Sequence, residues 1–221
     1  MVSQLTNLRP IPGRRAFSLV EMLVVVSIVA LLAAITVPGF SGIVRNYNLT
    51  DAGKQVVDAL SLARQMAISK NQTVEVRFYK HTSNNNQYDS IVTVVPSNGN
   101  TGSSVQWLAK PLYLPTGIVF TTNNTAYSSL ITTTSTTTGD TPETVSTDTS
   151  PVTPAALQGE SYVAFHFRSD GRTDLDPAAT QPWCVTLYIT GSAAAGTAPA
   201  ADYVTILLDP VMGRTRLFQP R

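Results

Sequence analysis

From Phe17 to Val37 the chain is apolar or small at nearly every position, and its one charge is Glu21. At 1.5 Å of rise per residue such a run makes roughly 30 Å of helix, the thickness of a bilayer's hydrocarbon core. The pattern predicts a transmembrane helix over 17–38. Pro38-Gly39 interrupts it, because proline lacks the amide proton and crowds the preceding turn, so a kink is expected at Pro38. Beyond it, Leu49, Ala52, Val56, Ala59, Ala63 and Met66 recur at spacings of three and four. That period predicts an amphipathic continuation over 39–70 with one face on a core. Asp51, Lys54, Asp58 and Arg64 fall off the stripe and are expected in solvent.

At Thr73 the period changes to two. Val74, Val76 and Phe78 alternate with Glu75, Arg77 and Tyr79, the signature of a strand with one buried face. Asn84-Asn85-Asn86 marks a turn and Ser90–Val95 a second strand. The stretch Trp107–Phe120 holds two extended pieces punctuated by Pro115 and Gly117. Further strands are predicted at Tyr162–Arg168, Trp183–Thr190, Tyr203–Leu208 and Thr215–Phe218. The fold class is therefore α+β: a long N-terminal helix packed on an antiparallel sheet, with residues 71–221 forming the sheet-rich domain. Within it, thirteen of the thirty residues from Thr121 to Ser150 are threonine. So few large apolar side chains cannot offset the entropy of ordering, and an exposed, disordered insertion over about 121–154 is expected.

Charge changes this picture only when it is divided by segment. The formal net charge is +1, from 15 basic and 14 acidic residues. Arg9, Arg14 and Arg15 precede the apolar run with no acid among residues 1–16, an arrangement that keeps the N-terminus cytoplasmic. Without those three arginines the remainder is slightly acidic, so any contact with nucleic acid must be local. The lone Cys184 excludes an internal disulfide and reads as a small buried apolar residue.

Three readings compete for the N-terminal segment. A secretory signal has a shorter apolar core and a small-x-small exit, neither of which occurs here. An ordinary anchor leaves Glu21 unexplained, since a carboxylate near hydrocarbon costs several kcal/mol unless paired. The third reading comes from Arg14-Arg15-Ala16-Phe17-Ser18-Leu19-Val20-Glu21, which resembles the class III leader of type IV pilins and type II secretion pseudopilins. The resemblance implies removal of residues 1–16 by a prepilin peptidase, which cuts between Ala16 and Phe17 and methylates the new amine. Alanine stands before the cut where the family usually has glycine. Glu21 becomes the fifth residue of the mature chain, where a neighbouring subunit's amine can neutralise it during assembly. Pro38 becomes the twenty-second, a position at which many pilins also carry proline.

The soluble half is similar to H-type pseudopilins and FimT-type minor pilins. Leu114–Phe120, Phe165–Gly171 and Val204–Arg216 carry that resemblance. A narrower one, to pilin-like proteins of a verrucomicrobial gene cassette, rests on Ala63–Ala67 and Val74–Tyr79. The resemblance implies a single-pass inner-membrane protein with a periplasmic C-terminal domain. Its implied partners are other pilin-like subunits, the peptidase and methyltransferase, an inner-membrane assembly platform and membrane lipid.

Candidate chemistry beyond the leader is sparse. His81 and His166 have no sequence partner resembling a nucleophile and base, so a membrane-anchored enzyme is the weakest reading and no cofactor is expected. Asp170, Asp174 and Asp176 could supply some of the oxygens calcium requires, although Gly171 falls too early for an EF-hand; a solvated turn is the simpler account. Gly213-Arg214-Thr215-Arg216 matches a Gly-Arg-x-Arg pattern through which some FimT-like pilins bind DNA. On a strand Arg214 and Arg216 point the same way and could bridge adjacent phosphates, with Arg221 nearby. The alternative is a tight turn flanked by solvated arginines.

Overall fold

The computed structural model describes residues 17–96, 105–122, 127–132, 142–145, 153–191 and 202–219, with backbone alone at 35–41, 43 and 143–145. Two compact units divide the chain, residues 1–43 and 44–221. Helix α1 is a single element, Leu19–Lys70, whose helical backbone runs through Pro38.

Within the second unit the buried face of α1 consists of Leu49, Ala52, Val56, Leu60, Ala63 and Ala67. The stripe thus follows Leu60 and Ala67 where Ala59 and Met66 were expected. An α-helix repeats every 3.6 residues, so about three turns from Leu49 lead to Leu60 and about five to Ala67, whereas a strict 3.5-residue spacing leads to Ala59 and Met66. Gly53 lies on this face, where a Cβ would stand 2.7 Å from Val204 Cγ1 and 3.1 Å from Leu217 Cδ1.

The sheet is antiparallel and built from β1 (Val74–His81), β2 (Gln87–Pro96), β3 (Val105–Trp107), β4 (Leu112–Tyr113), β5 (Ile118–Phe120), β6 (Glu143–Val145), β7 (Ser161–Phe167), β8 (Trp183–Ile189), β9 (Tyr203–Leu208) and β10 (Thr215–Phe218). Their order is β10-β9-β8-β5-β2-β1-β7-β6, and β3 and β4 also pair with β2. Along its edge away from β1, strand β2 thus meets β5 at Tyr88, β4 at Ser90 and Ile91, and β3 from Val94 to Pro96. The expected asparagine turn links β1 to β2, with Asn85 and Asn86 at φ 52° and 57°. The α+β expectation, a long helix on an antiparallel sheet, is borne out.

Two details correct the sequence reading. Strand β1 is buried on both faces: Val74, Val76 and Phe78 face the helix-side core, while Glu75, Arg77 and Tyr79 are equally inaccessible. Their face is closed by a second cluster of Tyr79, Val92, Val94, Val105, Leu157, Tyr162 and Ala164. The alternation of β1 told its two faces apart without telling that both are covered.

The second concerns the described parts of the threonine-rich segment, expected as an exposed, disordered insertion over about 121–154; residues 123–126, 133–141 and 146–152 lie outside the described residues. Ser128, Ser129, Leu130 and Ile131 are buried, and a one-turn helix α2 (Ser129–Thr132) rests on β8. The Ser129 hydroxyl accepts the Cys184 amide at 2.8 Å, and the Ser128 hydroxyl accepts that of Thr186 at 3.0 Å. Further along, Glu143–Val145 pairs with β7. Burial of two large apolar side chains and hydroxyls that replace ladder partners offset the ordering cost at these points.

Candidate functional site

The first helical bond of α1 runs from the Met22 amide to the Ser18 carbonyl, at 3.2 Å. Glu21 lies in that first turn, where the positive end of the helix dipole favours a carboxylate. From Leu19 to Leu32 the large apolar side chains stand exposed, with Leu19 at 80%. The one hydroxyl among them, that of Ser27, donates to the Val24 carbonyl at 2.8 Å, so the stretch presents no unsatisfied hydroxyl proton. A helix that is apolar on every side needs lipid or neighbouring helices around it. Among the described residues no helix is long and apolar enough to cross a membrane. The side chains described in this run end at Ala34, short of Val37. Ala16 and the leader arginines lie outside the described residues, as does the side chain of Pro38.

The Gly-Arg-x-Arg segment closes the turn that follows β9 and opens β10. Asp209 organises it: its amide donates to the Arg214 carbonyl, its carbonyl accepts the Gly213 amide, both at 2.8 Å, and its carboxylate caps the amides of Val211 and Met212. Gly213 is buried at φ 62°. Arg214 and Arg216 are exposed, and among the described residues neither has a carboxylate within ion-pair distance. Arg221 lies outside the described residues. The turn's glycine is thus a packing requirement, and only the two arginines are available to a ligand.

The three aspartates proposed for calcium part ways. Asp170 accepts the Arg172 amide, Asp176 accepts the Ala178 amide, and Asp174 grips His166. Among the described residues no group of three His, Cys, Asp or Glu side chains is placed to hold a metal. The acidic side chains of this turn serve local backbone amides and a histidine.

Sequence reasoning missed a buried cluster of polar side chains. Arg77 Nε and Nη2 reach the two Glu75 carboxylate oxygens at 2.9 and 3.2 Å, and its Nη1 lies 3.4 Å from the Tyr79 hydroxyl. The guanidinium carbon stands 4.3 Å from the centre of the Tyr162 ring. Burial alone lowers the Arg77 pKa, but the Glu75 charge and hydrogen bonds, with Tyr162 and Tyr79, outweigh it and hold it above its ordinary value. His166 extends the line: its Nδ1 is 2.6 Å from Asp174 Oδ2 and its Nε2 is 4.0 Å from Glu75 Oε2. These groups satisfy one another, as buried charges must. His81 has a partner of its own, pairing through Nδ1 with Asp89. Neither pairing is visible in the sequence, because the acids meet the histidines only when strands and turns close.

Residues 11–37 match the family described as the prokaryotic N-terminal methylation motif. The match bears out the likeness to type IV pilin-like and pseudopilin chains seen in Arg14–Glu21. Among solved structures, the minor pseudopilin EpsH from the Type 2 Secretion System of Vibrio cholerae resembles the chain with 10% identity and a TM-score of 0.40, over 78% of this chain and 97% of that one. No curated protein matches the chain.

Proposed function

We propose that the chain is a pilin-like subunit of the minor pseudopilin kind, held in the bacterial inner membrane and drawn from it into a type II secretion or type IV pilus-like filament. One coincidence carries this reading. The methylation motif at 11–37 overlaps a helix whose apolar side chains are exposed from Leu19 to Leu32 and whose first turn holds Glu21. A prepilin peptidase would cut between Ala16 and Phe17 and methylate Phe17. The single span would place the N-terminus in the cytoplasm and residues 44–221 in the periplasm. In the membrane lipid covers the apolar side chains first, and the helices of neighbouring subunits replace it on assembly. Glu21, about one turn from the new amine, would pair with a neighbour's amine, so that a charge costly on its own favours ordered packing. A kink at Pro38 would help the helix fit among its neighbours. The role is structural rather than catalytic.

Mass spectrometry of the chain recovered from membranes tests the reading. The expected mature species begins at Phe17 and carries an N-terminal methyl group. An intact Met1, or a cut after about residue 34, overturns it.

A second reading rests on Arg214 and Arg216, which are exposed and two apart at an edge strand. That spacing suits adjacent phosphates of DNA taken up by a pilus. A gel shift comparing the wild type with Arg214→Ala/Arg216→Ala decides it, because unaltered or absent binding removes DNA uptake from consideration.

A further inference from the structure

Arg45 and Asn48 of α1, Thr116, Gly117 and Ile118 at the start of β5, and Ile189-Thr190 at the end of β8 line a cavity of about 280 Å³. That volume sits at the small end of ligand cavities, which begin near ~300 Å³. Its chemistry is one-sided. Among the described residues Arg45 is the sole ionisable group of the lining, and it has no carboxylate within ion-pair distance. Thr190 donates both its amide, at 2.8 Å, and its hydroxyl, at 3.1 Å, to the Gly117 carbonyl, which fills both lone pairs of that rim acceptor. The side-chain donors left to a ligand are the Arg45 guanidinium, the Asn48 amide and the Thr116 hydroxyl. One charged and two neutral donors, drawn from a helix and a loop, can together serve an anion with several oxygens, such as a phosphate. Ile118 and Ile189 form an apolar floor. Gly117, at φ 84°, holds a backbone conformation that other residues rarely adopt, and a Cβ there would sit 3.5 Å from the Thr190 hydroxyl.

We propose that this pocket binds phosphate esters: Arg45, Asn48 and Thr116 take the phosphate oxygens, and the ester carbons lie over Ile118 and Ile189. Arg45 is also the first charged residue after Glu21. If the apolar run spans the bilayer, as the proposed function holds, an anionic phospholipid headgroup is the natural source of that phosphate. The pocket itself does not depend on that reading, and free phosphate shares the chemistry.

The test is the full chain in uncharged detergent micelles or nanodiscs, followed by the backbone amide shifts of Gly117, Ile118 and Thr190. One arm adds inorganic phosphate, and the other compares nanodiscs of phosphatidylcholine with and without phosphatidylglycerol. Saturable shifts in the phosphate arm support a general phosphate site, and shifts confined to phosphatidylglycerol support a headgroup site. In either case Arg45→Gln should weaken binding at least ~10-fold, as loss of a charge-assisted bond implies. Arg172→Gln, an exposed arginine elsewhere, should leave it unchanged. Absence of saturable shifts in both arms, equal binding by Arg45→Gln, or equal loss with Arg172→Gln overturns the site. So does acetate binding as tightly as phosphate. An unprocessed Met1 terminus would count against the proposed function while leaving the phosphate titration intact, so the two failures are distinguishable.

Discussion

Gly213 lies so close to the carbonyl oxygen of Gly171 that no Cβ fits between them, and that same oxygen accepts the Arg64 Nε–H at 3.1 Å. Two strand turns and the helix meet there, joined also by the Thr173 amide and hydroxyl, which both donate to Pro210 at 3.0 Å. Gly213→Ala is expected to cost at least ~2 kcal/mol, because the left-handed backbone alone disfavours a Cβ by about 1–2 kcal/mol and the obstructing atom is backbone. Arg214→Ala/Arg216→Ala, by contrast, should stay within about 0.5 kcal/mol of wild type. Urea unfolding of both variants checks this, and similar losses would contradict it.

Gly53 sets two effects against each other. Alanine raises helix propensity by about 1 kcal/mol, yet its methyl group would press on Val204, which is buried and stiff at χ1. Overpacking costs about 1–3 kcal/mol, so Gly53→Ala should lower the melting temperature despite the better helix former. A rise would show that the helix can shift away from β9.

The Glu75–Arg77 pair should be far more sensitive to loss of one partner than of both. Glu75→Ala or Arg77→Ala strands a buried charge and is expected to cost about 3–5 kcal/mol. The double replacement Glu75→Leu/Arg77→Met removes both charges and should cost less than either single change. Denaturant titrations of the three variants read this directly. Additive losses would mean that the pair is not coupled as its geometry implies.

Alkaline stability follows from the tyrosines. Burial raises the pKa of Tyr88 and Tyr188 above the usual 10.0, and burial together with Asp89 raises that of Tyr113. A phenol whose pKa is raised by folding favours the protonated form in the folded state. Its contribution is therefore whole below about pH 10 and lost as pH climbs through the folded value. Phenolate absorbance should rise at higher pH in the native chain than in urea, with stability falling over the same window. Coincident titration curves would refute it.

Much of the architecture was legible because it is local. The period of α1 is written between Leu49 and Ala67, and β9 and β10 occupy the positions their alternation predicts. What was illegible depends on distant cover. Glu75 and Arg77 read as solvent-facing because alternation reports sidedness alone, whereas that face is closed by a cluster drawn from distant positions, Val94, Val105, Leu157 and Tyr162 among them. Arg64 was expected in solvent for the same reason; its partner is Gly171, 107 positions away. The anchored part of the threonine-rich segment did leave a trace: Leu130-Ile131 is the one adjacent pair of large apolar residues between Thr121 and Pro154.

The hydroxyls of Ser128 and Ser129 have a consequence for crowding. The amides of Cys184 and Thr186 extend past the end of β5 and would otherwise form a short open edge, a template on which another chain could add a strand. Hydroxyl acceptors occupy those amides without offering any ladder of their own. Copies held side by side, as subunits of the proposed filament would be, therefore find that edge of β8 shut, and self-association is steered away from sheet-to-sheet pairing at this point.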